Sequence, residues 1–441
     1  MKRIIILLVF ITGLLNLASA VDFGLLLDNT TSASTDPNNI FYQEDKASLW
    51  LTFDFSDKIF LSITGFYRFD ITEPYHTYGL DRLEFSADFT IGSQPPFLIG
   101  FSLGRFYAQD FSGLILAHPL DGLNLRLRTA SMNMDLSFGY TGLIFKGESG
   151  LAMSVTDCNY SPVIPLVPPR LVGMLGFDFP ELFAYQTLYL SVAGQLDLHS
   201  EDVLIQPGSA IPDYSRGGRI DTLYTGLGLK GPIFGSFYWS SVFYFEFGRT
   251  LSYFDSAYNY VPIYSYLASL AFDWFVTEFQ YSHLRLEVIL ASGDGDYTNF
   301  IEGNTDEFST QFIPLTRQSR GLVYALQLSN VIVASLSYGL KLLASSVPSV
   351  LNNLQTELIV LTYFRSALSD VSDSGGLNSG SSQYYLGNEI DLVISFRPFV
   401  DLGLELALGL FLPNNYSAEA AFAPDGREIE FLARLRLSLE F

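Results

Sequence analysis

Apolar and polar side chains alternate with a period of two residues along this chain, in segments of about ten residues. Segment 427–441 shows the pattern most clearly: Phe431 and Leu435 fall on one face, and Glu430 and Arg434 fall on the other. Successive side chains of a β-strand point to opposite sides of the sheet. The alternation therefore predicts strands with one apolar and one polar face.

The chain has no stretch after Ala20 with about 18 consecutive apolar residues, which a membrane-spanning helix needs. Strands cross a membrane only as a closed barrel, because each backbone N–H and C=O must find a partner within the sheet. A soluble β-sandwich is the alternative fold. Composition favours the barrel, since the chain is 49% hydrophobic and 16% charged, whereas a typical soluble domain has about 25% charged residues.

The N-terminal residues 1–20 have the features of a cleaved export signal. Lys2 and Arg3 precede a short apolar run, and Ala18-Ser19-Ala20 fits the small-x-small cleavage pattern. We therefore expect one mature domain, 21–441. Loss of Lys2 and Arg3 would change the formal net charge from −22 to −24, which disfavours a nucleic-acid partner.

The segments predict an all-β, transmembrane, antiparallel up-and-down barrel of about eighteen strands, with sixteen as the alternative. The predicted strands lie near 22–28, 47–56, 59–71, 80–91, 97–107, 121–129, 131–141, 171–179, 186–199, 220–230, 236–249, 265–277, 279–291, 331–344, 355–366, 385–397, 400–412 and 427–441. Short breaks such as 56–58 alternate with long polar ones such as 200–219 and 292–330, as periplasmic turns and external loops do. The strand-like pieces 149–155 and 321–328 are assigned to external loops, and an even strand number leaves both termini periplasmic.

Polar positions on the predicted inner face would line the lumen. They are Arg68, Arg82, Glu84, Asp88, Arg126, Arg128, His283, Arg285, Glu287, Arg434 and Arg436, with Asn124 and Asp135 beside them. Such mixed charges can create a transverse field that orients polar solutes and sets ion preference. The alternative is a solvated wall of paired charges without selectivity.

The predicted loop 108–120 is unusually apolar for an external loop, because it contains Leu114, Ile115 and Leu116 close to Asp110. Apolar side chains avoid water, so we predict that this loop folds into the lumen and narrows it. The alternative is packing against other external loops.

Several short motifs resemble those of the alginate-export-type group of outer-membrane porins. They are Gly104-Arg105 before Leu120-Asp121-Gly122, Ala291-Ser292-Gly293-Asp294 before Phe312-Ile313-Pro314-Leu315, Gly387-Asn388-Glu389-Ile390-Asp391, and Phe411-Leu412-Pro413. The resemblance implies an eighteen-stranded channel in the bacterial outer membrane. It also implies an arginine-lined lumen for a polyanion, and the net charge of this chain argues against carrying over that substrate.

We therefore predict a porin-like channel for passive diffusion of small hydrophilic solutes or ions, with a mild cation preference that follows from its acidity. No enzyme activity, cofactor or metal is predicted. The four histidines fall in no zinc motif, and His199 beside Asp197 or Asp202 is the one weak candidate for catalysis. The acidic run Asp294-Gly295-Asp296, with Glu302, Asp306 and Glu307, has calcium-type ligands without EF-hand spacing, so we expect a polar turn there.

Two other functions remain open at this stage. A barrel that transports hydrophobic substrates such as fatty acids would need an apolar luminal pocket and an N-terminal segment that plugs the lumen as a hatch. Residues 28–46 are polar and form too short a segment for such a hatch. A surface-exposed adhesin or structural barrel would use its long loops to bind host or cell-wall partners. The expected partners are outer-membrane lipid and the barrel-assembly machinery, which would bind the C-terminal strand ending in Phe441.

Overall fold

The computed structural model describes residues 18–35, 40–71, 75–92, 97–154, 157, 166–199, 208, 219–254, 256–276, 278–295, 308–343, 351–373, 375–378, 380–423 and 426–441. Most of the predicted export signal, 1–17, lies outside the described residues. Within the described part of the chain, no helix is both long and apolar enough to cross a membrane.

The chain forms β-strands joined by turns and loops, with two short 3₁₀ turns at Lys146–Glu148 and Leu351–Asn353. The strands are β1 (Ala20–Ser34), β2 (Phe41–Ser56), β3 (Ile59–Asp70), β4 (Tyr75–Ile91), β5 (Phe97–Gln109), β6 (Ala117–Arg128), β7 (Asn133–Tyr140), β8 (Arg170–Phe183), β9 (Gln186–Asp197), β10 (Ile220–Phe234), β11 (Phe237–Phe254), β12 (Ala257–Val276), β13 (Ser282–Ala291), β14 (Ser319–Arg320), β15 (Leu326–Gln327), β16 (Val331–Lys341), β17 (Gln355–Arg365), β18 (Tyr385–Phe399), β19 (Leu402–Pro413) and β20 (Glu430–Glu440). The pair β14–β15 is a small hairpin inside one loop.

The other eighteen strands form one antiparallel sheet that closes on itself. Each strand pairs with its neighbours in chain order, and β1 pairs with both β2 and β20. Closure satisfies the backbone groups of both edge strands, which would otherwise be exposed. The prediction of an eighteen-stranded antiparallel barrel is confirmed, and the alternative of sixteen strands is wrong.

Short turns such as 129–132 and 400–401 lie at one end of the barrel, and the long connections that follow β7 and β13 leave the wall at the other. We call these the short-turn end and the long-loop end. The predicted alternation separates the two faces of the wall. Leu435 is exposed on the outer face, whereas its neighbour Arg434 projects inward and lies 3.8 Å from Glu405.

Two hairpins are longer than the sequence predicts. β1 and β2 include most of the polar segment 28–46, where Asp28 lies opposite Lys46, and β11 and β12 continue into 250–264. The prediction ended these strands where the apolar alternation fades. Backbone pairing does not need an apolar face once a strand extends beyond the apolar band, so the ladders continue.

The main apolar core lies inside the barrel, toward the long-loop end. Its members come from the wall and from loops that fold inward, and they include Phe106, Ile115, Leu116, Tyr224, Tyr244, Phe312, Leu315, Tyr324, Tyr363, Phe411 and Phe422. All of these side chains are buried. This core therefore determines which part of the lumen remains open.

Candidate permeation pathway

The strand register places all of the predicted pore-lining residues on the inner face. On one side of the lumen they form ion pairs between strands that are adjacent or separated by one strand. Arg126 of β6 lies 3.2 Å from Asp88 of β4, and Arg128 lies 2.7 Å from Asp135 of β7. Because each of these cations lies beside an anion on the inner face, the net electric field from this side of the lumen is small.

Two further cations of this side are paired as well, Arg82 in the middle of β4 and Arg68 near the long-loop end of β3. Arg82 donates a hydrogen bond of 2.7 Å to Glu84 on the same strand. Arg68 lies 2.6 Å from Glu148, which belongs to the 3₁₀ turn of the loop 141–169. Lys46 of β2 contacts the same carboxylate at 3.4 Å. The 3₁₀ turn Lys146–Glu148 is thus held against the wall by its charges.

The predicted group on β13 forms a compact network with β12. Asp273 accepts hydrogen bonds from His283 at 2.9 Å and from Arg285 at 3.0 Å. Arg285 also donates to Glu287 at 2.9 Å, and Arg320 of the inward-folded loop lies 3.7 Å from Glu287. Sequence reasoning identified three of these residues and missed Asp273 and Arg320, which come from another strand and from a loop.

On the last strand, Arg434 and Arg436 both lie 3.8 Å from Glu405 of β19. Their positions follow from the alternation in β20, which points them inward. One carboxylate shared by two guanidinium groups leaves a net positive charge at this point of the wall.

The loop between β5 and β6 folds inside the barrel, and a single carboxylate organises it. Asp110 accepts hydrogen bonds from the backbone N–H groups of Ile115 at 3.0 Å and Leu116 at 2.7 Å. Its other oxygen accepts from the N–H and hydroxyl of Ser112 and from the N–H of Gly113. A carboxylate that accepts from the chain following it stabilises a tight turn.

This loop also contacts β9 and β11 of the wall. The Tyr244 hydroxyl of β11 donates to Asp110 at 2.7 Å. The Phe111 ring stacks on Tyr189 of β9 and on Tyr244, with centroid distances of 5.2 and 5.5 Å. Leu114, Ile115 and Leu116 are buried in the luminal core. The structure thus places the predicted loop inside the lumen and not on other external loops alone.

A second loop, part of 308–330, also folds inward, and sequence reasoning did not predict this. Its Ile313 donates its N–H to the buried Glu246 of β11 at 2.9 Å and accepts a hydrogen bond from the Tyr224 hydroxyl. Thr316 donates its N–H to the carbonyl of Ile115 at 3.0 Å, which joins the two loops. The available signal was the apolar run 312–315 within a polar segment.

The same loop continues across the barrel to β18. The carboxylate of Glu389 accepts the backbone N–H groups of Leu322, Val323 and Tyr324 at 2.6, 2.7 and 3.0 Å. The ring of Tyr324 stacks on Phe411 with a centroid distance of 4.3 Å. Burial raises the pKa of Tyr324, so its hydroxyl stays protonated at neutral pH.

Beside these loops lies a polar cavity of about 360 Å³. Phe111, Ser112 and Leu114 of the first loop form part of its wall. Its charged lining residues are Lys230, Asp273, Arg285, Glu287 and Arg320, and Tyr189, Ser240, Ser241 and Ser269 add hydroxyl groups. Three cations, two carboxylates and several hydroxyls can hydrogen-bond a small polar solute.

The two weaker candidates have other surroundings. His199 lies 2.8 Å from Asp197 through Nδ1 and 3.4 Å from Asp157 through Nε2, so both ring nitrogens face carboxylates. That arrangement is typical of a structural polar cluster rather than of a nucleophile and its base. Asp294 accepts the N–H of Thr310 at 2.7 Å. Asp202, the other possible partner of His199, lies outside the described residues, and so do Asp296, Glu302, Asp306 and Glu307 of the acidic run.

Comparison with known proteins gives the fold and no closer relationship. No family model and no curated protein matches the chain. Among solved structures, Pseudomonas aeruginosa OccK8 (OprE) matches with a TM-score of 0.60 at 12% identity, covering 96% of this chain and 99% of that one. OccK2 (OpdF) of the same organism, solved in complex with glucuronate, has a TM-score of 0.57 at 11% identity, with coverage of 96% and 99%.

The outer membrane protein opdK of Pseudomonas aeruginosa gives a TM-score of 0.56 at 10% identity, covering 96% of this chain and 99% of opdK. Identities this low establish a shared barrel architecture along almost the full length of both chains. The Occ names differ from the alginate-export family that the sequence motifs resemble, so the finer family assignment stays a prediction.

Proposed function

We propose that this protein is an outer-membrane channel for passive diffusion of small hydrophilic solutes, and that it is not an enzyme. The observation that carries the proposal is a closed barrel with an apolar outer face and a charged inner face, narrowed by loops that fold inside it. Eighteen strands are enough to enclose an aqueous lumen. Inward-folded loops then set the size of the passage and the groups that a solute meets.

The filling of the lumen favours hydrophilic solutes over fatty acids. The apolar core at the long-loop end is packed by its own side chains, and Tyr224, Tyr244 and Tyr363 are fully buried in it. The open cavity, in contrast, is lined by charged and hydroxyl groups. Residues 28–34 and 41–46, in the segment considered as a hatch, form part of β1 and β2 in the wall.

The cavity suggests the class of solute. Lys230, Arg285 and Arg320 exceed Asp273 and Glu287 by one positive charge, and serine and tyrosine hydroxyls lie between them. A polyhydroxylated solute with one carboxylate would complement this lining, since Arg pairs with carboxylates. Glucuronate, which is bound to OccK2, has this chemistry.

Ion selectivity should be weak, because the luminal arginines lie close to carboxylates. The acidity of the chain predicts a mild cation preference, and the positive cavity opposes it. Assembly through the C-terminal strand also remains a proposal. In the finished barrel Phe441 donates its N–H to the carbonyl of Leu25 at 2.9 Å, so an assembly factor would have to bind β20 before closure.

The test is conductance of the refolded mature protein in planar lipid bilayers. We expect discrete ion-conducting steps, a reversal potential near zero in a salt gradient, and a lower current when a sugar acid such as glucuronate is added. A refolded barrel without conductance would refute the channel. Unchanged current with glucuronate, together with normal conductance, would refute only the proposed class of solute.

A further inference from the structure

The outer wall of the barrel carries an apolar groove across β7–β10. Its volume is about 650 Å³, which falls in the range of about 300–1,000 Å³ typical of small-molecule sites. Outward-facing side chains line it, among them Phe138, Leu171, Val192, Leu196, Leu223 and Phe247. The groove lies on the face opposite to the lumen, so it belongs to no part of the permeation pathway.

Two glycines, Gly173 of β8 and Gly194 of β9, lie opposite each other in the groove. At Gly173 an added Cβ would meet only a ring carbon of Phe138 at 3.7 Å, which is an ordinary contact, and its φ is not in the left-handed region. Neither packing nor backbone conformation therefore requires glycine at 173. The missing side chain leaves the groove open where a typical barrel wall would present an apolar residue.

One end of the groove is cationic. Asp221, which lines it, accepts two hydrogen bonds from Arg249 of β11, at 3.0 Å from Nε and 2.9 Å from Nη2. Arg219 approaches the same carboxylate at 4.0 Å, and the Arg249 guanidinium lies 4.8 Å from the Tyr260 ring centroid. Two arginines around one carboxylate leave a net positive charge, and the Arg249 side chain is 52% exposed.

This charged group lies at the long-loop end, close to the first residue of β10 and the last residues of β11. The groove thus runs from the apolar middle of the wall toward a positive edge. An amphiphile with hydrocarbon chains and an anionic phosphate has the complementary distribution. Arginine is well suited to the phosphate, because its planar donors bind phosphate oxygens in pairs.

We propose that the groove binds the acyl chains of a phosphorylated lipid, with the phosphate against Arg219 and Arg249. Asp221 orients Arg249 toward the groove without neutralising both cations. A second copy of this chain is the competing occupant. A second copy would have to place an anionic group against Arg219 and Arg249 and apolar side chains in the part of the groove at Gly173. The proposal requires a bilayer around the barrel and does not depend on whether the lumen conducts.

The test uses native mass spectrometry of the delipidated mature protein, titrated with bis-phosphorylated lipid A or with the same lipid after removal of both phosphates. We expect the wild type to bind the phosphorylated probe about tenfold more tightly. Gly173→Leu should weaken binding of both probes by about tenfold, because the leucine fills the groove. The double change Arg219→Ser and Arg249→Ser should remove the preference for phosphate and keep binding of the acyl chains.

Gly65→Leu is the matched control. Gly65 is an outward-facing glycine of β3, outside the groove, and its added Cβ would meet only the carbonyl oxygen of Gly79 at 3.7 Å. The circular-dichroism signal of the β-sheet and the faster migration of the unheated barrel on a denaturing gel show that each variant has folded, and the arginine variant tests the site if Gly173→Leu does not fold. Equal lipid binding by the two leucine variants would overturn the proposal, and so would binding without phosphate preference. A dimer in the wild type that Gly173→Leu abolishes would assign the groove to a second copy instead.

Discussion

Replacement of Asp110 by alanine should release the constricting loop. This carboxylate is almost fully buried and accepts hydrogen bonds from four backbone N–H groups and two hydroxyls. The most buried donors are the N–H groups of Ile115 and Leu116 and the hydroxyl of Tyr244. A buried donor left without a partner costs about 1–3 kcal/mol. Three such donors therefore cost about 3–9 kcal/mol, with the lower half of the range favoured because water can enter.

That loss has to be compared with the apolar burial that also holds the loop. Leu114, Ile115 and Leu116 each contribute about 1.5–3 kcal/mol by burial. The two effects are similar in size, so the loop of Asp110→Ala should exchange between docked and released states rather than unfold. Exchange of an apolar loop inside the lumen should appear as two conductance levels, the higher one above that of the wild type.

Single-channel recording in planar bilayers measures this directly. Tyr244→Phe is the matched control, because it removes one donor and leaves the other five on the carboxylate. Its expected cost is about 0.5–1.5 kcal/mol, and its conductance should be close to that of the wild type. If Asp110→Ala conducts at a single level with the wild-type amplitude and noise, the carboxylate does not hold the constriction and the reasoning is wrong.

Three further outcomes are expected. In Glu389→Gln, the loop N–H groups that bind two carboxylate oxygens would have one amide oxygen as acceptor. Hydrogen–deuterium exchange of the Leu322–Tyr324 amides should therefore accelerate about tenfold, and unchanged protection would contradict the role of Glu389. Arg285→Ser removes a cation from the cavity and should shift the reversal potential toward cations while weakening the block by glucuronate; a shift toward anions would count against the charge balance. Deletion of Phe441 removes two hydrogen bonds to Leu25, and the yield of folded barrel in outer membranes should fall; an unchanged yield would argue against recognition of the C-terminal strand.

The fold could be predicted because a barrel wall is a repetitive structure. Each strand shows its two faces through local alternation, as in β20, where Arg434 and Arg436 point inward and Leu435 points outward. The constricting loop could be predicted for a similar reason, since three adjacent apolar residues beside Asp110 are costly in water. Both signals lie within a few residues of the chain.

The contacts of the loops could not be predicted in this way. Glu246 and Ile313 are 67 residues apart, and Glu389 lies 65 residues from Tyr324. Alternation shows only that each glutamate faces inward and gives no indication of which loop reaches it. A glutamate that binds loop N–H groups and one that faces solvent have the same local sequence pattern. The distinction depends on loop closure across the lumen, which only the three-dimensional structure shows.

The inner surface of the barrel has two parts, a dry core that holds the loops in place and a set of exposed charges that keeps water in the lumen. The walls formed by β10, β11 and β17–β19 carry the dry core, where Glu246 and Glu389 each bind loop N–H groups and leave little room for water. Elsewhere on the inner face, the side chains of Arg82, Arg285 and Arg436 are 49%, 36% and 50% exposed although each lies close to a carboxylate. Exposed charges need water, so the aqueous path includes these arginines and the polar cavity that Arg285 lines. The buried loops then act as a fixed partition that makes this remaining path narrow and polar.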